Sequence, residues 1–321
     1  MRLPLIAAAL APLPAFAEPP QVVTDIAPVH SLVSQVMAGV GEPELLLQDG
    51  ADPHSVTLKP SQARMLERAQ LVIWVGEDLA PWLARAIDGL ARAETIALLE
   101  HPATSLRDFD GSDAALEEEE GHPDDNQGHA EDGEDDHEAG QDSKAHDHDG
   151  TDPHAWLSPD NARAWLGAVA EELAARDPEN AETYFANAQA AIVDVTQMDA
   201  AISARLEPHA GAEIVTFHDA FGYFAATYGI DILGSVQPGD ASAPSAAALS
   251  ALKDLVDDHG VTCAFSEPGS DPGLLEAIET GAGLRTGVLD PMGSTLTPGP
   301  ELYGELMTGI ASVIDTCLTE G

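Results

Sequence analysis

The chain has 321 residues, 44% of them apolar, and a formal net charge of −43 at pH 7. Length and apolar content predict a globular protein of two domains. The strong negative charge argues against binding to nucleic acid and to anionic lipid, since both need a basic surface. Much of that charge belongs to one segment, so the remaining chain is less acidic than the total suggests.

Residues 1–17 have the features of a signal peptide. Arg2 provides the positive start, an apolar stretch runs from Leu3 to Phe16, and Ala15-Phe16-Ala17 offers a cleavage site with small residues at both ends. The stretch is too short to span a bilayer, and no later run is long and apolar enough. We therefore expect export from the cytoplasm, with Glu18 as the mature N-terminus.

Residues 18–158 predict an N-terminal α/β lobe. Short apolar runs alternate with segments of helical periodicity, which is typical of a parallel sheet with helices on its faces. The predicted strands are 21–26, 44–47, 71–75 and 95–99, and the predicted helices are 28–40, 61–69 and 81–90.

The segment 112–150 within this lobe has a different composition. It is almost free of apolar residues and rich in acids, so it is predicted to be disordered. Imidazoles scattered among carboxylates also predict weak, exchangeable zinc binding. The histidines concerned are His122, His129, His137, His146 and His148.

The remaining chain predicts linking helices over 159–208 and a C-terminal α/β lobe over 209–321. The second linking helix, 178–206, would be roughly 40 Å long and run along both lobes. The expected fold class is α/β, with a mainly parallel sheet and flanking helices in each lobe and one long rigid helix joining them. The predicted elements of the C-terminal lobe are strands at 213–217, 230–236, 261–266 and 286–289, and helices at 220–228, 246–259, 272–282 and from 301 onward.

Three histidines follow strands or lie in short loops: His54, His154 and His218. Ligands of α/β sheets bind beyond the carboxyl ends of the strands. Three imidazoles from distant parts of a chain can form a zinc site with a fourth, open position. Their spacing is no metal motif in itself, and each histidine taken singly has an ordinary explanation as a surface residue.

Five segments, in order, resemble the signature segments of a family, the periplasmic metal-binding proteins of ABC transporters. Within this family the chain resembles the zinc-specific branch in particular. They read GADPHSVTLKPSQ, DPHAWLSPDNA, VTFHDAFGYFAATYGI, FSEPG and LDPMG. The resemblance implies two lobes bridged by a rigid helix, with a Zn²⁺ ion carried in the cleft by His54 and His154 from the first lobe and His218 from the second. It also implies a monomer that works with the membrane permease of a zinc ABC transporter and with a periplasmic zinc chaperone.

The fourth ligand stays open at this point. Manganese-type relatives use a carboxylate at the position of Asp290 and carry Glu where this chain has His218, and three neutral nitrogens favour zinc over manganese. Some zinc-type relatives carry Glu where this chain has Pro53. The fourth position is therefore Asp290 or water, with water preferred, and roles for His30 and for Glu267, the latter as a hydrogen-bond partner of an imidazole, stay open as well.

Only two cysteines occur, Cys263 and Cys317. An even pair in an exported protein predicts one disulfide, which would fasten the C-terminal helix to the strand that carries Cys263. The alternative is a pair of buried free thiols.

Two other functions are compatible with parts of this pattern. One is a manganese- or iron-binding member of the same family. The other is a zinc hydrolase with Glu267 or Asp290 as general base, although no HExxH sequence, nucleophile elbow or paired-carboxylate motif accompanies them. The sequence therefore predicts a binding protein and not an enzyme.

Overall fold

The computed structural model describes residues 18–48, 51–109, 150–237, 245–278 and 283–319. The predicted signal peptide (1–17) lies outside these residues, and so do the five histidines of the acidic segment. Among the described helices, none combines the length and the apolar character that crossing a membrane requires.

Two four-stranded sheets form the centre of the fold, and every pair of neighbouring strands is parallel. The first sheet has the order β2-β1-β3-β4 and the second β6-β5-β7-β8, so the two sheets share one topology. The predicted fold class is confirmed. The strands are β1 (Val22–Thr24), β2 (Glu44–Leu45), β3 (Leu71–Trp74), β4 (Glu94–Ala97), β5 (Glu213–His218), β6 (Asp231–Gln237), β7 (Cys263–Ser266) and β8 (Arg285–Val288).

Helices cover both sheets, and several begin with the expected proline in their first turn. Most bounds lie within three residues of the predicted ones, and the last described residue of α8 is Ile278. The helices are α1 (Ala27–Met37), α2 (Pro60–Arg68), α3 (Pro81–Leu90), α4 (Pro159–Arg176), α5 (Ala181–Leu206), α6 (Gly222–Tyr228), α7 (Ala246–His259), α8 (Pro272–Ile278) and α9 (Leu302–Thr319).

The long helix α5 has 26 residues, about 39 Å at 1.5 Å per residue. It contacts α1, α4, α6 and α9 and thus joins the two halves of the protein, which contain the first sheet and the second sheet respectively. It begins three residues later than predicted, because Asp177 organises a turn before it. The Asp177 carboxylate accepts hydrogen bonds from Asn180 Nδ2 (2.7 Å) and from the Tyr184 hydroxyl (2.9 Å).

The two halves are joined by direct contacts as well as by α5. The Trp156 indole donates to the carbonyl of Pro291 (2.8 Å), and the Tyr303 hydroxyl donates to the carbonyl of Trp156 (3.0 Å). Ser31 of α1 donates to Pro300 O (3.0 Å). Residues 291–303 therefore pack against the N-terminal half, and the lobe boundaries at 158 and 208 stay predictions.

The predicted disulfide between Cys263 and Cys317 is present, with the two Cα atoms 6.1 Å apart. Cys263 is the first residue of β7, and Cys317 lies in the last turn of α9. The bond attaches the C-terminal helix to the second sheet, as expected.

The shared strand order creates a crevice in each sheet. In the first sheet β2 and β3 lie on opposite sides of β1, and in the second sheet β6 and β7 lie on opposite sides of β5. Ligands of open parallel sheets bind beyond the carboxyl ends of the strands at such switch points. His218 is the last residue of β5 and so lies at the switch point of the second sheet.

Asp25 follows β1 at the switch point of the first sheet and is 1% exposed. Its carboxylate accepts hydrogen bonds from the backbone N–H groups of Val75 and Ile26, both at 2.8 Å. Burial raises the pKa of Asp25 to about 7, even though these hydrogen bonds favour the charged form. Asp25 thus joins the ends of β1 and β3, and its contribution to the free energy of unfolding depends on pH.

The folded protein should lose stability through Asp25 as the pH rises. Between its unfolded pKa, near 3.9, and its folded pKa of about 7, the folded chain binds the proton that the unfolded chain has released. The free energy of unfolding, relative to that of Asp25→Asn, should therefore fall by about 2 kcal/mol from pH 5 to pH 7. Urea unfolding of both proteins across this range measures the difference, and a difference independent of pH would contradict the assignment.

Candidate metal centre

Three imidazoles from three separate parts of the chain meet in the crevice between the halves. His54 lies in the loop after β2, His154 precedes a short 3₁₀ helix (Ala155–Leu157), and His218 ends β5. One ring nitrogen of each lies within 4.8 Å of one from each of the others. The ring centroids are 5.0 to 6.0 Å apart, close enough for one ion to reach all three after small ring rotations.

The backbones of His54 and His154 are held in the same way. Each follows an Asp-Pro pair, and in each the histidine N–H donates to Oδ1 of the aspartate two residues earlier, at 2.9 Å. Side chains of aspartate commonly stabilise turns by this local bond. The repeated Asp-Pro-His sequence therefore positions both histidines by local chemistry.

His154 is 1% exposed, and its ring is fixed by Asp152. The distance from His154 Nδ1 to Asp152 Oδ1 is 2.8 Å. A carboxylate accepts and does not donate, so Nδ1 carries the proton and Nε2 offers its lone pair to the crevice. Sequence reasoning missed Asp152, although the Asp-Pro-His repeat is the signal that identifies it.

His218 is oriented by a carboxylate in the same manner. His218 Nδ1 lies 2.9 Å from Oε1 of Glu267, which follows β7, the neighbour of β5. The role left open for Glu267 as a partner of an imidazole is therefore the one the structure shows. Two of the three imidazoles thus have a tautomer set by a neighbouring acid.

Two tryptophans anchor the loops that carry the histidines. Trp82, in the first turn of α3, donates from Nε1 to the carbonyl of Pro53 at 2.7 Å. Trp156 lies edge-on to His154, with ring centroids 5.2 Å apart. The imidazoles are consequently held by packing as well as by hydrogen bonds.

Asp290 lines the same cavity, of about 210 Å³, but does not belong to the group of three nitrogens. Its carboxylate accepts hydrogen bonds from the Ser294 hydroxyl (2.9 Å) and from the backbone N–H groups of Met292 and Thr295 (both 3.2 Å). These bonds hold the loop after β8, so Asp290 stands beside the cluster with both oxygens engaged.

The other described histidines lie elsewhere. His30 Nε2 is 3.1 Å from the carbonyl of Pro43, and burial lowers the pKa of His30. His209 and His259 contact the carboxylates of Asp315 and Glu213, both at 3.0 Å. None of them belongs to the cluster of three nitrogens.

The chemistry of the cluster suits a borderline-soft divalent cation. Imidazole nitrogen is a common ligand of zinc, copper, nickel and iron, whereas manganese prefers oxygen. Three protein ligands leave one position for water or for a transferable partner. The carboxylates of Asp152 and Glu267, behind the rings, raise the basicity of the nitrogens and offset the charge of a bound cation.

Comparisons with known proteins identify the family of the chain. The family model described as "Zinc-uptake complex component A periplasmic" matches residues 22–317. A protein of Paracoccus denitrificans named "High-affinity zinc uptake system protein ZnuA" is 49% identical over 318 residues, covering 98% of this chain and 97% of that protein. A protein of the same name from Brucella suis is 36% identical, with 93% and 92% covered.

Solved structures share the fold. One is described as "Crystal structure of 138-173 ZnuA deletion mutant plus zinc bound" and superposes with a TM-score of 0.71 over 93% of this chain and 98% of that one. Its sequence is 22% identical, so the likeness supports the two-sheet architecture and not the identity of individual ligands.

Proposed function

The chain belongs to the family of the periplasmic zinc-uptake complex component A, and on this basis we propose that it captures zinc in the periplasm and delivers it to an ABC-type importer. The convergence of three imidazoles at the crevice is the observation that carries the proposal. Two of them are oriented by buried or half-buried carboxylates, which is how proteins prepare histidine for a metal ion.

His54, His154 and His218 are the proposed ligands. Water takes the fourth position in this proposal, because the carboxylate of Asp290 already accepts hydrogen bonds from residues 292, 294 and 295. An open position suits a carrier, since a ligand of the importer can enter there before the protein ligands leave.

Zinc is preferred over manganese as the cargo because the three proposed ligands are all nitrogen. It is preferred over iron because the matching family and relatives are described as zinc-uptake proteins. A manganese- or iron-binding member of the family is the alternative, and competition between the metals separates the two. A hydrolase is not favoured. Glu267 and Asp290, the carboxylates considered as general base, are engaged by His218 and by the loop after β8.

The family supports a periplasmic location and a transporter as partner. Its members are described as periplasmic components of zinc uptake, and residues 1–17 would direct export. We propose that the mature chain acts as a monomer, meets a permease with its ATPase, and receives zinc from a periplasmic chaperone.

The acidic segment is proposed to collect zinc weakly beside the crevice. Its five histidines, His122, His129, His137, His146 and His148, lie outside the described residues. Chain entropy opposes a fixed geometry in so polar a segment, so each site should be weak. Residues 108 and 151, which flank the segment, pair as an antiparallel bridge, and residue 151 lies three residues before His154. Zinc held by the segment would therefore have a high effective concentration at the crevice.

A zinc titration of the metal-free protein, with and without residues 112–150, tests this function. We expect one tight equivalent in both proteins, displaced by excess manganese only weakly, and extra weak equivalents in the full chain alone. Calorimetry with a competing chelator measures both classes. Absence of a tight equivalent would refute zinc capture, and equal stoichiometry in the two proteins would refute collection by the segment.

A further inference from the structure

Tyr223 belongs to the C-terminal half but reaches residues that hold His154. It lies in α6, five residues after His218, and is 6% exposed. Burial raises the pKa of Tyr223 to about 12, so its hydroxyl keeps its proton at physiological pH.

The Tyr223 hydroxyl joins two main-chain segments of the N-terminal half. It accepts a hydrogen bond from the N–H of Arg107 (3.0 Å) and donates one to the carbonyl of Asp152 (3.1 Å). Beside it, the N–H of Asp152 donates to the carbonyl of Arg107 (3.0 Å). In an antiparallel pair, the N–H of Arg107 would donate directly to the carbonyl of Asp152 as the second hydrogen bond. Here the Tyr223 hydroxyl lies between these two groups and bonds to both.

Asp152 is consequently held on every side. Its N–H and carbonyl are bound to Arg107 and Tyr223, and its Oδ1 accepts from the N–H and the ring of His154. Its Oδ2 lies 4.0 Å from Arg107 Nε. The contact from Tyr223 is the one among these that comes from the half containing His218.

The first turn of α6 lies directly against this group. A Cβ added to Gly222 would lie 2.9 Å from Arg107 Cζ and 3.0 Å from Asp152 Oδ2. The Arg107 guanidinium also lies over the Tyr223 ring, with Cζ 5.8 Å from its centroid. A residue other than glycine would therefore press on the Arg107 guanidinium and on the carboxylate that orients His154.

We propose that Tyr223 is a positioning residue of the metal site. Through Asp152 it fixes the ring of His154, and through α6 it ties that ring to the strand end that carries His218. The test by zinc affinity rests on the proposed function. The orientation of His154 can be measured without metal and does not depend on that function.

Tyr223→Phe removes the hydroxyl and keeps the ring, and Tyr228→Phe is the matched control. Tyr228 lies in the same helix, and its hydroxyl donates to Asp199 (3.1 Å), away from the three histidines. Loss of a partner behind a ligand typically weakens metal binding 10- to 100-fold. Because Tyr223 acts one step further away, we expect about tenfold weaker zinc binding in Tyr223→Phe and unchanged binding in Tyr228→Phe.

A second readout is the tautomer of His154 in the metal-free proteins, from long-range ¹H–¹⁵N correlations assigned with His154→Asn. We expect the form protonated at Nδ1 in the wild type and in Tyr228→Phe, and a mixture of tautomers in Tyr223→Phe. Wild-type affinity in Tyr223→Phe, equal losses in both variants, or weaker binding with an unchanged tautomer would each overturn the proposal. If the wild type binds no zinc, the proposed function fails while the tautomer comparison still decides the role of Tyr223.

Discussion

Replacing His218 with alanine should weaken tight zinc binding about a hundredfold or more. Structural zinc sites with four protein ligands bind with roughly 10–16 kcal/mol, or about 3 kcal/mol for each ligand, and each 1.4 kcal/mol is tenfold in affinity. Loss of one imidazole from three also leaves Glu267 without the ring nitrogen that lies 2.9 Å from it. A titration against a chelator of known affinity measures the loss.

His259→Ala is the control for this variant. It removes an imidazole from the same half of the protein, where His259 contacts Glu213 at the surface. Its zinc affinity should equal that of the wild type. Wild-type affinity in His218→Ala would exclude His218 as a ligand and would leave a site of fewer than three of these histidines.

Removing the disulfide should cost about 4 kcal/mol of unfolding free energy. Cys263 and Cys317 are 54 residues apart, and closing a loop of that length restricts the unfolded chain by about this amount in the chain-entropy model. Denaturant unfolding of the double variant Cys263→Ala, Cys317→Ala against the oxidised wild type measures the cost.

Zinc affinity should change little in the same double variant, because neither cysteine belongs to the cluster of three nitrogens. The bond acts at the start of β7, whereas Glu267 follows the other end of that strand. A stability loss below about 1 kcal/mol would contradict the chain-entropy argument, and a large loss of zinc affinity would show that the bond shapes the crevice.

The alternation of strands and helices was sufficient to predict the fold class. Buried runs such as Leu71–Trp74 can be recognised in the sequence because strands covered on both faces are apolar throughout. The start of α5 was wrong by three residues, because the contacts of the Asp177 side chain decide it. Pro178 suggested a helix start at that residue, but a proline in the sequence does not reveal that the Asp177 side chain stabilises a turn there instead.

The candidate site was predictable in part. Resemblance drew attention to the three histidines, and the Asp-Pro-His repeat contained the further information that an aspartate accepts from each histidine backbone. The contact between Tyr223 and Asp152 joins residues 71 positions apart. No local pattern encodes such a contact, because it depends on how α6 packs against the other half.

The position of Asp290 was also undecidable from sequence. A carboxylate in that motif can ligate a metal or can stabilise its own loop, and the two uses require the same residue. The hydrogen bonds from Ser294 and from the N–H of Thr295 favour the second use in this chain.

The most direct test of the account is the anomalous scattering of a crystal grown with one equivalent of zinc, measured on both sides of the zinc absorption edge. We expect one strong peak in the crevice, about 2.0–2.1 Å from Nε2 of His154 and of His218 and from one ring nitrogen of His54, with water and not Asp290 in the fourth position. A peak that lacks any of these three imidazoles, or a strongest peak away from the crevice, would contradict the assignment of the site.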